Sequence, residues 1–331
     1  MKAIISRTAG GPETLTLEEV PSPPMGKRDI RIRVKVAAAN YPDVLIIKDE
    51  YQFKPPRPFS PGGEFAGVVS AVGDDVTRYK VGDRVFGNSS HGGYAEETVL
   101  GEQRAFAIPD AMSFEDAACL LMTYATSHHA LKDRAHIRPG ETLLVLGAAG
   151  GVGIAAVELG KAMGARVIAA ASSQEKVDFA KSAGADEGIV YAEKLADREA
   201  QKTFSDQIKK LGGGGVDVIY DSVGGDYAEP AIRAMNWEGR YLVVGFPAGI
   251  PRIPLNLTLL KGMQIVGVFW GAFAAREWRK HAENVQELFA LHAAGKIQPR
   301  ISRRFPLAQA ADAIRALQDR KVQGKIVVTM D

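Results

Sequence analysis

Apolar and polar residues alternate almost strictly through DIRIRVKVAAA, residues 29–39, so every second side chain shares one face. That period predicts a strand buried on one side. FAGVVSAVG (65–73) and VGDRVFG (81–87) repeat the pattern at shorter length, bounded by glycine and aspartate. From Met1 to about Leu100 the chain therefore reads as a β-rich unit. At Ser113 the spacing changes: SFEDAACLLMTYATSHHALKD places apolar residues three and four apart behind a serine cap, which predicts helices.

After RPGETLLVLG (138–147) the pattern becomes strand, glycine turn, helix, strand. It continues through VDFAKSAGAD, EGIVYA, REAQKTFSDQIKKL, the loop GGGG at 212–215, VDVIYDSVG, a helix over 227–236 and GRYLVVGF. Such alternation implies right-handed crossovers and a parallel sheet covered on both faces, an α/β domain of doubly wound type. Beyond Lys261, MQIVGVFWG predicts one more strand, AREWRKHAENVQELFALHAAG a single long amphipathic helix, and KIVVTM a closing strand that returns to the first domain.

Length and charge narrow the function classes. A chain of 331 residues exceeds one typical core, so two domains, or one large α/β domain, are expected, with two the first choice. Lys plus Arg number 41 against 39 Asp plus Glu, a net charge of +2, too small a field for a nucleic-acid or anionic-membrane partner. The single cysteine, Cys119, excludes an intramolecular disulfide and a multi-thiolate zinc site, and reads as a small buried hydrophobe. With no long apolar run and no leader-like start, the expected location is the cytoplasm.

The chemistry begins at VLGAAGGVGIAAVELGKAMGARVIAAASSQEK, residues 145–176. Glycines serve many tight turns, but here Gly147, Gly150, Gly151 and Gly153 lie between a strand and a helix. The first turn of that helix offers free N–H groups and a positive dipole end to a pyrophosphate. The second strand ends at Ala171, where an NAD site normally places Asp or Glu for the ribose 2′-hydroxyl. Ser172, Ser173 and Lys176 follow, two hydroxyls and an ammonium suited to a 2′-phosphate. NADPH is therefore the expected cofactor; the alternative is that these residues only cap the next helix.

Taken in order, AANYPDVLIIKDEYQFKPPRPFSPGGEFAGVV, VGDRV, GGYAEE, LMTYATSHHAL, GAAGGVG, DSVGG, WEGRYLVVGF and QGKIVV resemble the zinc-independent quinone oxidoreductases of the medium-chain dehydrogenase/reductase superfamily. The resemblance covers nearly the whole chain. It implies a GroES-like β-rich catalytic domain over 1–122 and 261–331, a Rossmann domain over 123–260, a cofactor in the cleft and a homodimer. It also implies that Asn40 and Thr126 lie beside the nicotinamide and that Gly150, Gly151 and Val152 take the pyrophosphate. Tyr191 would serve the adenosine phosphate, and Gly245, Phe246, Phe269 and Trp270 the far side. Zinc-dependent relatives carry Cys at the Asn40 position, a hydroxyl at Pro42, His at Gly63 and a further ligand near Met122. No metal is therefore expected.

Without a Lewis acid, the accessible chemistry is hydride delivery to an activated acceptor, a small electrophile such as a quinone. Enals, enones and 2-enoyl-CoA esters are the alternative, the last needing a basic entrance for which Lys48, Lys54 and Arg57 are candidates. Tyr41 and Tyr51 are candidate donors to the substrate oxygen, though a tyrosine in a proline-rich loop serves packing as often. Asp43 reads as a backbone-orienting residue, and His128 and His129 as packing or surface residues. A binding protein that keeps the fold without turnover is the rival from another class, which the near-neutral charge disfavours. The apolar strands RYLVVGF and QIVGVFW suggest a sheet edge covered by a second copy.

Overall fold

A computed structural model describes residues 1–195 and 197–330. The chain forms two compact units, Met1–Met122 with Pro299–Asp331, and Thr123–Gln298.

The first unit contains β1 (Lys2–Ser6), β2 (Leu15–Glu19), β3 (Asp29–Ala39), α1 (Tyr41–Ile46), β4 (Glu64–Val72), β5 (Arg84–Asn88), β6 (Glu97–Gly101), β7 (Ala105–Ala107) and α2 (Phe114–Ala118). The returning segment adds β14 (Ile301–Pro306), α11 (Ala310–Gln318) and β15 (Lys325–Thr329). Six strands run in the order β14-β15-β3-β4-β5-β7, and β6 pairs with β3. The long β3 organises the sheet: its Asp29–Arg33 half pairs with β6, its Val36–Ala39 end with β15, and β4 runs antiparallel along it. The alternation read from sequence is the reason. Ile30, Ile32 and Val34 are buried on one face and pack with Phe65, Val69, Val85 and the apolar face of α11.

The second unit contains α3 (Thr126–His128), β8 (Thr142–Leu146), α4 (Gly151–Ala162), β9 (Arg166–Ala171), α5 (Gln174–Ser182), β10 (Glu187–Val190), α6 (Arg198–Leu211), β11 (Val216–Asp221) and α7 (Ala228–Arg233). It continues with β12 (Met235–Val243), α8 (Asn256–Lys261), β13 (Gln264–Gly267), α9 (Trp270–Arg276) and α10 (Trp278–Ala293). The sheet is parallel, in the order β10-β9-β8-β11-β12-β13. Strand order reverses between β8 and β11, and a doubly wound sheet receives ligands at the carboxyl ends of the strands flanking that point. No described helix is long and apolar enough to cross a membrane.

Three expectations need correction. The expected boundary at 261 lies instead at Pro299, because β13 pairs with β12 and α10 packs into the second unit through Asn284 and Glu287, which bond Asp133 and Lys132. The helix expected over 275–295 begins only at Trp278, because Glu277, with φ of −121° and ψ of 50°, is not helical. A separate short helix, α9, precedes it and starts in the segment read as a strand; it buries Trp270 and Phe273, with Phe273 stacked on His129 at 3.9 Å. The helix expected over 227–236 ends at Arg233, and Met235 already belongs to β12.

Candidate active site

In the second unit, the carboxyl end of β8 is tied down by its backbone. The N–H groups of Gly147 and Ala148 both donate to the Ala170 carbonyl, at 3.0 and 3.1 Å, and Gly150 N–H donates back to Gly147 at 3.0 Å. Gly147 has a φ of +76°, open to glycine at little cost. A Cβ at Gly153 would lie 2.1 Å from the Gly147 carbonyl oxygen, so this glycine lets α4 close onto the turn. A Cβ at Gly150 would meet only that same oxygen, at 3.5 Å. The space beside Gly150 is thus left open by the protein, next to a helix start whose cap residue has no side chain to satisfy the first N–H groups. This cradle fits a pyrophosphate.

Thr126 opens α3, and its neighbour Ser127 bonds the Val152 carbonyl at 2.9 Å and the Tyr220 hydroxyl at 2.9 Å, which holds α3 against the start of α4. At the end of β9, Ser173 caps α5 by accepting from Lys176 N–H, and Lys176 Nζ donates to Ser172 Oγ at 3.1 Å. Capping and a polar pair therefore coexist here. The Tyr191 N–H bonds the Ala171 carbonyl at 2.9 Å, beside the same strand end, while its ring packs on Tyr227 at 4.7 Å. In the DSVGG segment, Asp221 accepts from Val223 and Gly224 N–H at 2.8 and 2.9 Å and from the Tyr241 hydroxyl. Burial holds its carboxyl above the usual range against those bonds. Gly245 N–H reaches the Asp221 carbonyl at 3.3 Å, and Phe246 follows, exposed. Phe269 is 49% exposed at the start of α9, whereas Trp270 is buried with its ring edge-on to His281 and its indole nitrogen without a partner among the described residues.

The first unit assembles a different kind of site. Ala39 of β3 pairs with Ile326 of β15, and Ala38 pairs with Glu64 of β4, so Asn40, Lys325 and Glu64 stand at adjacent ends of three neighbouring strands. All three are buried. Lys325 Nζ donates to Asn40 Oδ1 at 2.5 Å, and Asn40 Nδ2 donates to Glu64 Oε2 at 3.0 Å. Glu64 Oε1 accepts from Met122 N–H at 2.9 Å. The positions expected to hold metal in zinc-dependent relatives do converge, around a carboxylate and an ammonium. Neither Glu64 nor Lys325 was expected from sequence; the available signal was a charge at the start of an otherwise buried strand.

Asp43 sits beside this network. Its Oδ2 accepts from Asn40 N–H at 2.8 Å, fixing the start of α1, and from the Tyr94 hydroxyl at 3.1 Å. Burial pushes its carboxyl up to about 6, against the pull of those bonds and of the Lys325 charge. Tyr41 opens α1 and is exposed. Tyr51 lies in the loop after α1 near Phe53, and burial, then the Asp43 charge, raise its phenol above the ordinary value. Arg57 of the suggested basic entrance is engaged by Asp49 at 2.7 Å. Cys119 is fully buried, and desolvation pushes its thiol up. His128 and His129 are packing residues that face Glu287 at 3.2 Å and Asp133 at 2.8 Å.

Comparison with known proteins agrees with this architecture. Residues 26–110 match the alcohol dehydrogenase GroES-like domain, and residues 151–287 match the zinc-binding dehydrogenase family. The chain is 36% identical to Pseudomonas aeruginosa quinone oxidoreductase over 324 residues, covering 96% of each. It belongs to the quinone oxidoreductase family of the medium-chain dehydrogenase/reductase superfamily. Rattus norvegicus quinone oxidoreductase-like protein 2 is 37% identical over 321 residues, 96% of this chain and 89% of that protein. Escherichia coli quinone oxidoreductase, solved in complex with NADPH, superposes with a TM-score of 0.89 at 30% identity, covering 99% of this chain and 100% of the other. The chain thus combines a GroES-like unit and a Rossmann-type unit, and the glycine turn stands at the switch point of the latter.

Proposed function

We propose that this oxidoreductase reduces a quinone with NADPH and without zinc, one hydride and one solvent proton converting quinone to hydroquinone and leaving NADP+. The observation that carries this reading is the open space at Gly150 above the uncapped start of α4, continued by Ser172 and Lys176 at the end of β9. Bound NADPH supplies the hydride. Gly147, Gly150, Gly151, Val152 and Gly153 would hold its pyrophosphate on backbone N–H groups, and Ser172, Ser173 and Lys176 its 2′-phosphate. Tyr191 would border the adenosine side. Thr126 and Asn40 would border the nicotinamide, with Gly245, Phe246, Phe269 and Trp270 beyond it.

The donor set at Asn40, Gly63 and Met122 supports the zinc-free part. Gly63 has no ligand atom, the Asn40 amide is committed to Glu64 and Lys325, and a buried ammonium already neutralises the carboxylate there. Enals, enones and 2-enoyl thioesters remain the second class of acceptor, because the same residues would serve them. Oxidation of NADPH and NADH by metal-stripped protein, with para-benzoquinone, phenanthrenequinone, crotonaldehyde and crotonyl-CoA, tests the reading. Fast quinone turnover favouring NADPH is expected; tight NADPH binding with no turnover on any acceptor would favour the binding-protein alternative.

The proposed assembly is a homodimer. β13 is an outer strand with Ile265 exposed; Leu255, Leu259 and Leu260 are exposed just before it in sequence, and Trp237 is exposed on its neighbour β12. An open, apolar edge is a liability that a two-fold partner strand removes. Light scattering should give twice the chain mass, and Ile265→Lys should return it to one.

A further inference from the structure

The Asn40 amide is held between two buried charges of opposite sign, and this arrangement goes beyond what the proposed reaction has so far used. We propose that Lys325 and Glu64 are positioning residues that lock the Asn40 side chain in one orientation and polarise its amide as a hydrogen-bond donor to the acceptor's oxygen. The proposal rests on the quinone-reductase reading above.

The distances favour this over a simple ion pair. Lys325 and Glu64 are 2% and 0% exposed in their side chains, yet Nζ and Oε2 stand 3.5 Å apart. A direct charge-assisted bond closes to about 2.7–2.9 Å. The ammonium is aimed instead at Asn40 Oδ1, 2.5 Å away, with the Ala39 carbonyl at 3.5 Å. The carboxylate takes the Asn40 NH2 at 3.0 Å on one oxygen and Met122 N–H at 2.9 Å on the other.

An ammonium only donates and an ionised carboxylate only accepts, so the amide has one permitted orientation. A flip would set NH2 against NH3+ and the amide oxygen against the carboxylate. The second hydrogen on Nδ2 has only the Ala38 carbonyl at 3.4 Å among the described residues, a long contact that leaves it able to bond elsewhere. Hydride delivery to a carbonyl places negative charge on its oxygen, and a donor fixed beforehand stabilises that charge without reorganising. Stability alone does not account for the arrangement, because buried ion pairs are commonly replaced by apolar residues at no loss.

The test compares the wild type with Glu64→Gln/Lys325→Met, which removes both charges together, and with Lys325→Arg, which restores the cation. With para-benzoquinone, the double variant should melt near the wild-type temperature, lose roughly 10- to 100-fold in kcat and change KM by less than about threefold. Lys325→Arg should keep most of the turnover. A readout independent of turnover is the pair of Asn40 side-chain amide proton resonances, assigned by their loss in Asn40→Asp, which should shift in the double variant as the charges on either side of the amide are lost. A folded double variant with wild-type kcat, or with its loss confined to KM, overturns the proposal. Should the double variant not fold, Glu64→Gln/Lys325→Gln, which also removes both charges but keeps a neutral donor toward Asn40 Oδ1, supplies the same comparison, and unchanged turnover with unchanged amide resonances again overturns it. A wild type that oxidises no NADPH with any quinone removes the underlying reaction instead, and the proposed role with it.

Discussion

The glycine turn of the second unit and the charged network of the first are both tight constructions, one partly open to solvent and the other buried, and they are built in opposite ways. The turn depends on missing side chains: at Gly153 even a Cβ would lie 2.1 Å from a carbonyl oxygen, and at Gly150 the space is open. The network depends on side chains that rarely enter a core, a lysine and a glutamate joined through an asparagine 285 residues from that lysine. A site made of backbone is encoded in one stretch of sequence. A site made of side chains from three strands is encoded in the topology.

The largest expected effect separates packing from ligand space within the turn. Gly153→Val forces apart α4 and the end of β8 and should cost several kcal/mol of stability, on the order of 3 or more, with loss of NADPH binding. Gly150→Ala should leave the melting temperature nearly unchanged and weaken NADPH roughly tenfold, because its methyl occupies space that the protein does not use. Thermal denaturation with and without NADPH reads both. If Gly150→Ala binds NADPH as tightly as the wild type, the open space is not where the pyrophosphate sits.

The contrast also explains what was legible in the sequence. The strand–turn–helix over 142–162 was readable because its chemistry is contiguous, and the alternation over 29–39 because one buried face imposes a period of two. The unit boundary was not, since the strand pairing that draws β13 to β12, and the bonds from α10 to Asp133 and Lys132, are long-range. The break at Glu277 was hidden for a related reason. The apolar period runs on through it, while the burial of Trp270 and Phe273 sets α9 apart. Lys325 and Glu64 appear in GKIVV and GGEFAGVV as ordinary charges at strand ends, and only the register of β15, β3 and β4 brings them to Asn40.

The network should also leave a signature in the pH dependence of stability. Asp43 has a folded value of about 6, above its ordinary 3.8, because burial disfavours the charge more than its hydrogen bonds and Lys325 favour it. The protonated form is therefore the better folded partner. Its contribution is full below about pH 4 and is lost as pH rises through about 6, worth up to about 3 kcal/mol. Urea denaturation across that window should show it, and Asp43→Asn should flatten the slope. An Asn oxygen can still accept from Asn40 N–H and Tyr94, so the fold should persist. An unchanged slope would place the titrating group elsewhere.

In the second unit, the polar pair at the end of β9 should set cofactor choice more than affinity. Lys176 Nζ is 3.1 Å from Ser172 Oγ, and a charge-assisted bond to a phosphate contributes about 1.5–3 kcal/mol. Lys176→Ala should therefore lower the ratio of kcat/KM for NADPH to that for NADH by roughly tenfold or more, with NADH little affected. An unchanged ratio would reduce Ser173 and Lys176 to the capping role that their backbone bond already performs.

The smallest effect is expected at Tyr51, and its smallness is informative. Burial and the nearby Asp43 charge raise its phenol above the usual value, which makes it a weaker acid than an ordinary tyrosine. A quinone accepts hydride readily and can take its proton from solvent, so Tyr51→Phe should leave kcat with para-benzoquinone within about threefold. An enal, whose product is a more basic enolate, should depend on a donor more strongly. If Tyr51→Phe slows crotonaldehyde and not benzoquinone, the loop carries acceptor-specific acid chemistry. If it slows both by the same large factor, Tyr51 donates in the common step, and the burden assigned to Asn40 is shared between a fixed amide and a loop phenol.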